Sequence, residues 1–274
     1  MKSDSYRLAM VQMLVEPGNL DGNLTRAAQR IGEAASAGAK IAVLPEVMDL
    51  GWTHPSAKNM SFTIPQGKTC QTLMAIARRH AIYICAGIVE KEGANIYNAA
   101  ILIDPGGEVL LKHRKVNELE IAHEIYQQGT SLNVISTDLG TIGLQICADA
   151  LARKNTLSFS LGYMGADIIL SPCAWAVPPD FDQNVAPYGD LWRDVYIEVS
   201  SHFDLWIIGV SNVGPISAGA WQGWNCIGNS LAFSPGGHQK HQAPFGSSAD
   251  TIEYIDVLLQ QRPARGTQWD TQHM

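Results

Sequence analysis

The sequence is poor in charged residues and has no long hydrophobic run. Charged residues make up 16% of the 274 positions, and 19 Lys and Arg against 26 Asp and Glu give a formal net charge of −7. This balance argues against a nucleic-acid footprint or a basic membrane patch. No apolar stretch reaches the roughly 18 residues of a membrane span, and the N-terminal segment lacks a signal-peptide pattern. We therefore expect neither nucleic acid nor membrane as a partner.

Cysteine is also scarce, and its spacing excludes the common structural uses. The five cysteines are an odd number at irregular intervals, and no Cys-x-x-Cys pair occurs. Reduced thiols and a cytoplasmic location are expected, rather than a disulfide framework or a zinc site. His238 and His241 form a short-spaced pair, but they lack the supporting carboxylates that a metal would need. We predict no metal and no organic cofactor.

What the chain does have is enough apolar sequence for a full core. The apolar content is 46%, and no linker with a shift in composition divides the chain. A single domain over residues 1–274 is therefore expected. Its core should run from about residue 6 to residue 258, and the polar residues 259–274 should form a tail.

Short apolar runs alternate with helical patterns, which predicts a layered α/β fold. The run at 41–44 is continuous, as expected for a strand covered on both faces. Asn23 is predicted to cap a helix that carries Leu24, Ala27 and Ile31 on one face and stops at Gly38. Further strands are predicted at 8–13, 82–86, 97–103, 109–113, 132–136, 142–147, 168–171 and 205–211, and further helices at 73–80, 156–164 and 191–203.

Three of these predicted strands end next to chemically reactive side chains. Glu46 follows the run at 41–44, Lys115 follows the strand at 109–113, and Cys147 ends the strand at 142–147. A carboxylate can remove the proton of a thiol, and an ammonium can stabilise the negative charge that develops during attack on a carbonyl. The backbone N–H of Ala148 would be a second donor to that oxyanion. If the three side chains converge, they form an activated cysteine nucleophile.

The motifs around these residues resemble those of a known family. Leu44-Pro45-Glu46, His113-Arg114-Lys115 and Ile146-Cys147-Ala148-Asp149 look like the three signatures of the nitrilase superfamily of carbon–nitrogen hydrolases, in the family's order. Further similar segments extend the match from about residue 6 to residue 258; they lie at 8–12, 98–103, 140–143, 165–167, 211–214 and 228–230. Any one triplet alone is weak evidence for the family, whereas the three motifs in this order are specific to it.

The resemblance implies a fold, an assembly and a set of catalytic residues. The implied fold is a four-layer αββα sandwich of two mixed β-sheets, and the implied assembly is a homodimer or a larger homo-oligomer. Glu46, Lys115 and Cys147 would form the catalytic triad. Members of the family also use a second glutamate in the loop after the lysine. Glu124 is the first choice because Gly129 follows at a similar distance; Glu118 and Glu120 remain alternatives.

The residues after the nucleophile bear on the substrate. The segment Cys147-Ala148-Asp149-Ala150 keeps the family's aspartate but lacks the aromatic residue that many members have, and the Trp-Glu pair of true nitrilases is absent. This favours a small non-peptide amide, or a carbamoyl compound, over a nitrile. Ala148, Asp149 and Trp175 are predicted to contact it, Trp175 because it follows a strand end, where ligand sites of α/β folds concentrate.

Three other functions remain open from the sequence. Two are enzymatic: N-carbamoyl hydrolysis, and acyl transfer to an amine instead of water. The third is a catalytically silent oligomeric scaffold, against which the complete set of Glu46, Lys115 and Cys147 argues. Substrate choice is expected to depend on the loops at 47–61, 117–130 and 177–188, whose shapes the sequence does not define.

Overall fold

The fold was analysed in a computed structural model, which describes residues 5–260. These residues form five α-helices: α1 Leu20–Ser36, α2 Ala57–Met60, α3 Lys68–His80, α4 Thr156–Tyr163 and α5 Asp190–Phe203. They also form fifteen strands: β1 Ser5–Gln12, β2 Ile41–Val43, β3 Tyr83–Glu92, β4 Asn95–Ile103, β5 Val109–Arg114, β6 Val134–Thr137, β7 Gly140–Leu144, β8 Ile168–Cys173, β9 Ala176–Val177, β10 Trp206–Ser211, β11 Val213–Pro215, β12 Asn225–Ile227, β13 Leu231–Ser234, β14 His238–Gln242 and β15 Thr251–Leu258.

Two six-stranded sheets dominate the described residues. The first has the order β15-β1-β2-β3-β4-β5, and the second has the order β14-β13-β10-β8-β7-β6. Both are mixed, with parallel strands at the centre and antiparallel strands at the edges. In the first sheet β1, β2 and β3 run parallel, and in the second β7, β8 and β10 do. A small third sheet has the order β11-β12-β9.

The alternation of side chains along β1 shows how the layers are stacked. Leu8 and Met10 share one buried cluster with residues of β7, β8 and β10, so they face the second sheet. Ala9 and Val11 share the other cluster with residues of α1 and α3. Helices α4 and α5 cover the outer face of the second sheet, since their apolar residues belong to the first cluster. The predicted αββα sandwich is therefore confirmed.

The structure corrects some of the predicted boundaries. Helix α1 begins at Leu20, and its N-cap is Asn19, whose side chain accepts the N–H of Gly22, rather than Asn23. The predicted strand at 142–147 ends at Leu144, so Cys147 lies beyond the strand. Of the predicted tail 259–274, residues 261–274 lie outside the described part of the chain.

Asn23 instead holds the segment that follows β2. Its amide donates to the carbonyl oxygens of Glu16, at 2.8 Å, and Asp49, at 2.9 Å. Gly87 of β3 touches the same segment, because its N–H donates to the Pro45 carbonyl and a Cβ there would lie 2.5 Å from the Cα of Glu46. Backbone contacts with β3 therefore determine where Glu46 sits.

No helix within residues 5–260 is both long enough and apolar enough to cross a membrane.

We expect Asp49 to make stability depend on pH. Its carboxylate is fully buried, and burial raises its pKa to about 7, although hydrogen bonds from the Val89 and Leu50 amides and from Thr69 oppose the shift. Because the folded-state pKa exceeds the unfolded one, this contribution is fully present below about pH 4 and is lost as pH rises through about 7. The loss is at most on the order of 4 kcal/mol.

Urea unfolding of the wild type and Asp49→Asn across this pH range measures the effect. Asp49→Asn should remove most of the decline, since the amide cannot ionise. The matched control is Asp204→Asn, at an exposed helix end, which should follow the wild type. If the free energy of unfolding declined equally with pH in all three proteins, Asp49 would not be the source of the pH dependence.

Candidate active site

Lys115 lies at the centre of a buried cluster of charged groups. It directly follows β5, its side chain is 1% exposed, and its ammonium lies 2.8 Å from Glu46 Oε1 and 3.3 Å from Glu118 Oε1. Its backbone is equally fixed, because its N–H donates to the Asn98 carbonyl and its own carbonyl accepts from Gly129. A buried ammonium needs such partners, since removing it from water costs several kcal/mol.

The charges of this cluster stabilise one another. Burial alone would lower the pKa of Lys115, but the carboxylates of Glu46 and Glu118 raise it well above its usual value, so the ammonium stays protonated. Burial raises the pKa of Glu118, and the nearby charge of Lys115 opposes that shift. The ring centroid of Trp52 lies 5.9 Å from the Lys115 ammonium, within the distance of a cation–π contact.

Asn98 joins the two glutamates. Its side-chain amide donates to Glu46 Oε1 at 2.7 Å and to Glu118 Oε2 at 3.4 Å, and the residue is fully buried. Its Oδ1 has no hydrogen-bond partner among residues 5–260. Asn98 therefore orients both carboxylates and leaves one acceptor free next to them.

Cys147 begins a 3-10 turn directly after the β7 segment. Its φ of 43° lies in the left-handed region that residues other than glycine rarely adopt. A hydrogen bond with Cys173, burial and the charge of Glu46 raise the pKa of Cys147 well above its usual value, and Lys115 opposes the shift. The resting group is therefore a neutral thiol, which needs a base when it attacks.

The loop that carries Cys147 is attached to the loop that carries Lys115 through Asp149. Asp149 Oδ1 accepts the N–H groups of Val116 at 3.0 Å and Asn117 at 2.7 Å, while Oδ2 accepts Ile146 N–H at 2.9 Å and contacts His113 Nε2 at 2.7 Å. Burial would raise the pKa of Asp149, but these bonds hold it below its usual range.

These contacts correct the predicted role of Asp149. Both oxygens are occupied by groups of the protein, and the residue is completely buried. Asp149 therefore holds the loops of Lys115 and Cys147 together, and protein groups occupy both of its oxygens. Ala148, in contrast, presents its N–H in the first turn of a helical segment, where N–H groups lack an intrahelical acceptor. Its carbonyl accepts from the Asn117 side chain at 2.6 Å.

The second glutamate of the cluster is Glu118 and not the predicted Glu124. Glu118 is buried against Lys115, whereas Glu120 and Glu124 are exposed. The chain enters a 3-10 turn at Glu120–Ala122, which directs these two carboxylates to solvent. The spacing of three residues between Lys115 and Glu118 is the signal that would have favoured it.

Trp175 is buried and packs against other aromatic side chains. It is 1% exposed, its backbone N–H donates to Ser211 Oγ, and its ring lies 5.1 Å from Trp192 and 6.2 Å from Tyr188. Tyr188 is partly exposed, and burial together with the neighbouring Cys147 raises its pKa. Tyr188 is therefore a more accessible aromatic residue beside the site than the predicted Trp175, and no local sequence pattern selects it.

The arrangement permits nucleophilic catalysis by a thiol. Glu46 can accept the proton of Cys147, and Lys115 and the Ala148 N–H can face an oxyanion. Across residues 5–260, no group of three or more His, Cys, Asp and Glu side chains is placed to hold a metal ion.

Comparisons with known proteins agree with this chemistry. A family model described as carbon-nitrogen hydrolase matches residues 7–260. The chain is 30% identical over 261 residues to a nitrilase of Pyrococcus abyssi, covering 92% of this chain and 90% of the relative. It is 32% identical over 276 residues to omega-amidase NIT2-B of Xenopus laevis, covering 95% and 94%. The resemblance noted from the sequence is confirmed.

Solved structures show the same fold. Nit3 of Saccharomyces cerevisiae, described as a member of the nitrilase superfamily, superposes with a TM-score of 0.78 at 23% identity, covering 94% of this chain and 91% of that one. An amidase from Nesterenkonia sp. gives a TM-score of 0.77 at 21% identity, covering 92% and 90%.

Asn98→Leu should slow the alkylation of Cys147. The substitution removes the amide donor that Glu46 and Glu118 share, so the two carboxylates are no longer held in one orientation. We expect the rate of labelling by iodoacetamide to fall by about tenfold. Labelling is measured by mass spectrometry of the peptide that contains Cys147. Asn95→Leu, at an exposed position of the same strand, is the control; equal labelling rates for both variants would exclude the orienting role.

Proposed function

The chain belongs to the carbon–nitrogen hydrolase family, and we propose that it hydrolyses a small non-peptide amide through a thioester on Cys147. The observation that carries this proposal is the buried contact of 2.8 Å between the Lys115 ammonium and Glu46, next to Cys147. An ion pair in a buried site costs desolvation energy unless other interactions compensate. Placed beside a neutral thiol, it supplies both the base and the positive charge that the reaction needs.

In the first half-reaction the sulfur of Cys147 attacks the amide carbonyl carbon while Glu46 takes the thiol proton. The carbonyl oxygen becomes an oxyanion, which the Lys115 ammonium and the Ala148 N–H stabilise. Glu46 then gives the proton to the nitrogen, the carbon–nitrogen bond breaks, and ammonia or an amine leaves. A thioester between Cys147 and the acyl group remains.

In the second half-reaction water replaces the amine. Glu46 takes a proton from the water as its oxygen attacks the thioester carbon, and the same donors stabilise the second oxyanion. The carbon–sulfur bond breaks, the sulfur recovers its proton from Glu46, and a carboxylic acid is released. Glu118 and Asn98 act as positioning residues, because they fix Lys115 and Glu46.

The named activities of related proteins support amide hydrolysis. The omega-amidase relative is matched over nearly its whole length. For a variant of the Nesterenkonia amidase, an acetamide moiety is described as covalently added at the active-site cysteine. Cys147 would be the equivalent nucleophile.

We also propose an assembly and a location. Helix α5 and the end of α4 expose apolar side chains, among them Tyr163, Met164 and Ile197, and the proposed homodimer buries this face. All five cysteines are free thiols, which suits the reducing cytoplasm.

Cys147→Ala should abolish turnover of the amide and leave the fold intact. Without the sulfur no thioester forms, and we expect the rate to fall by about 10⁴-fold or more. Ammonia release is measured over a panel of small amides and N-carbamoyl compounds, with hydroxylamine as a competing nucleophile. Circular dichroism checks the fold. The thioester should be trapped on Cys147 of the wild type, and undiminished activity of the variant would refute the mechanism.

Glu118→Gln and Glu124→Gln separate the buried glutamate from the exposed one. Removing the Glu118 charge leaves Lys115 with one carboxylate partner, and kcat should fall by about 10²-fold. The exposed Glu124 has no contact with the cluster, so its variant should stay within about twofold of the wild type. The reverse ranking in steady-state kinetics would restore Glu124 as the second glutamate.

A further inference from the structure

Cys173 ends β8, and Cys147 comes three residues after the end of the adjacent strand β7. The parallel strands β7 and β8 pair Leu144 with Leu170, and the Gln145 N–H continues the ladder to the Leu170 carbonyl at 3.2 Å. Each cysteine comes three residues after its member of the Leu144–Leu170 pair. Paired strands lie about 4.8 Å apart, and a disulfide needs Cα atoms roughly 4.4 to 6.8 Å apart, so the ladder brings the two chain segments to a separation that a disulfide can span.

The two side chains share one buried environment. Both belong to the same core cluster, together with Tyr196 of α5. The Cys173 thiol lies 3.2 Å from the Ser171 carbonyl oxygen, to which it donates, and the neighbouring Cys173 is the first cause of the raised pKa of Cys147. The Cys173 carbonyl accepts the Glu46 N–H at 3.1 Å. The backbone of Cys173 therefore supports the segment that carries the proposed catalytic base.

The two thiols differ in their access to solvent. Cys147 is 9% exposed, whereas Cys173 is completely buried. A small oxidant that enters the site therefore meets Cys147 first. The other three cysteines are at most 3% exposed, so such an oxidant reaches them less readily than it reaches Cys147.

We propose that Cys147 and Cys173 form a reversible redox pair, in which a hydroperoxide oxidises Cys147 and Cys173 closes a disulfide with it. In the first step the Cys147 sulfur attacks one peroxide oxygen while Glu46 takes its proton. The sulfur–oxygen bond forms, the oxygen–oxygen bond breaks, and the leaving oxygen takes the proton, so that hydrogen peroxide gives water and a sulfenic acid.

In the second step the Cys173 sulfur attacks the sulfenic sulfur. The disulfide forms, the sulfur–oxygen bond breaks, and the hydroxyl leaves as water with the Cys173 proton. A dithiol reductant then reverses the disulfide by exchange. The disulfide switches the enzyme off and protects the nucleophile from irreversible oxidation to sulfinic and sulfonic acids. The loss of activity rests on the proposed role of Cys147, whereas the disulfide itself does not.

The test compares the wild type with Cys173→Ala, Cys173→Ser and Cys70→Ala. Each protein is treated with hydrogen peroxide, and intact mass, peptide mapping and amidase activity are recorded before and after dithiothreitol. The wild type and Cys70→Ala should lose two hydrogens, show a link between the peptides of Cys147 and Cys173, and regain most of their starting activity. The Cys173 variants should gain two or three oxygens at Cys147 and regain less than about a tenth.

Several results would overturn the redox pair. One is a wild type that gains oxygens at Cys147 without losing two hydrogens; another is a Cys173 variant that recovers as fully as Cys70→Ala. The serine variant retains the small polar side chain, so the comparison stands if alanine disturbs the fold. An enzyme inactive on every amide would refute the proposed function, yet the mass measurements would still decide whether the disulfide forms.

Discussion

The site depends on one buried ammonium. Lys115 lies between Glu46 and Glu118, within 2.8 and 3.3 Å of their oxygens, and is almost completely excluded from water. Neither carboxylate could be removed without leaving charge uncompensated in the interior. The cluster therefore fixes the positions of a base and a cation together, and Asn98 fixes the distance between the two acids. The geometry of the candidate site and the local stability come from the same contacts.

The two large sheets each supply part of this geometry. Glu46 and Lys115 come from the first sheet, while Cys147 and Cys173 come from the second. Hydrogen bonds connect the two parts: the backbone N–H of Glu46 donates to the Cys173 carbonyl, and the Asp149 carboxylate accepts two N–H groups of the loop after Lys115. A movement of one sheet relative to the other would separate the nucleophile from its base, so packing between the sheets matters directly for the proposed chemistry.

Local patterns predicted the alternation of strands and helices, and the resemblance to the family supplied the four layers and the candidate triad. Continuous apolar strands and motif order were enough to select Glu46, Lys115 and Cys147, which the structure brings to one place. Glu124, the first choice for the second glutamate, is exposed, and the alternative Glu118 lies at Lys115 instead. A family-like distance to Gly129 does not indicate which way a 3-10 turn directs its side chains. Asp149 and Trp175 were predicted to contact the substrate. Their burial depends on long-range contacts with His113 and Trp192, which a local sequence pattern does not encode.

Gly87 illustrates how a residue without a side chain can constrain catalysis. Its backbone lies so close to the Cα of Glu46 that a single methyl group has no room. A larger residue at this position in the middle of β3 would displace the segment that carries Glu46 and so move its carboxylate away from Lys115. The backbone of β3 therefore limits which sequences can keep this site as directly as the charged side chains do.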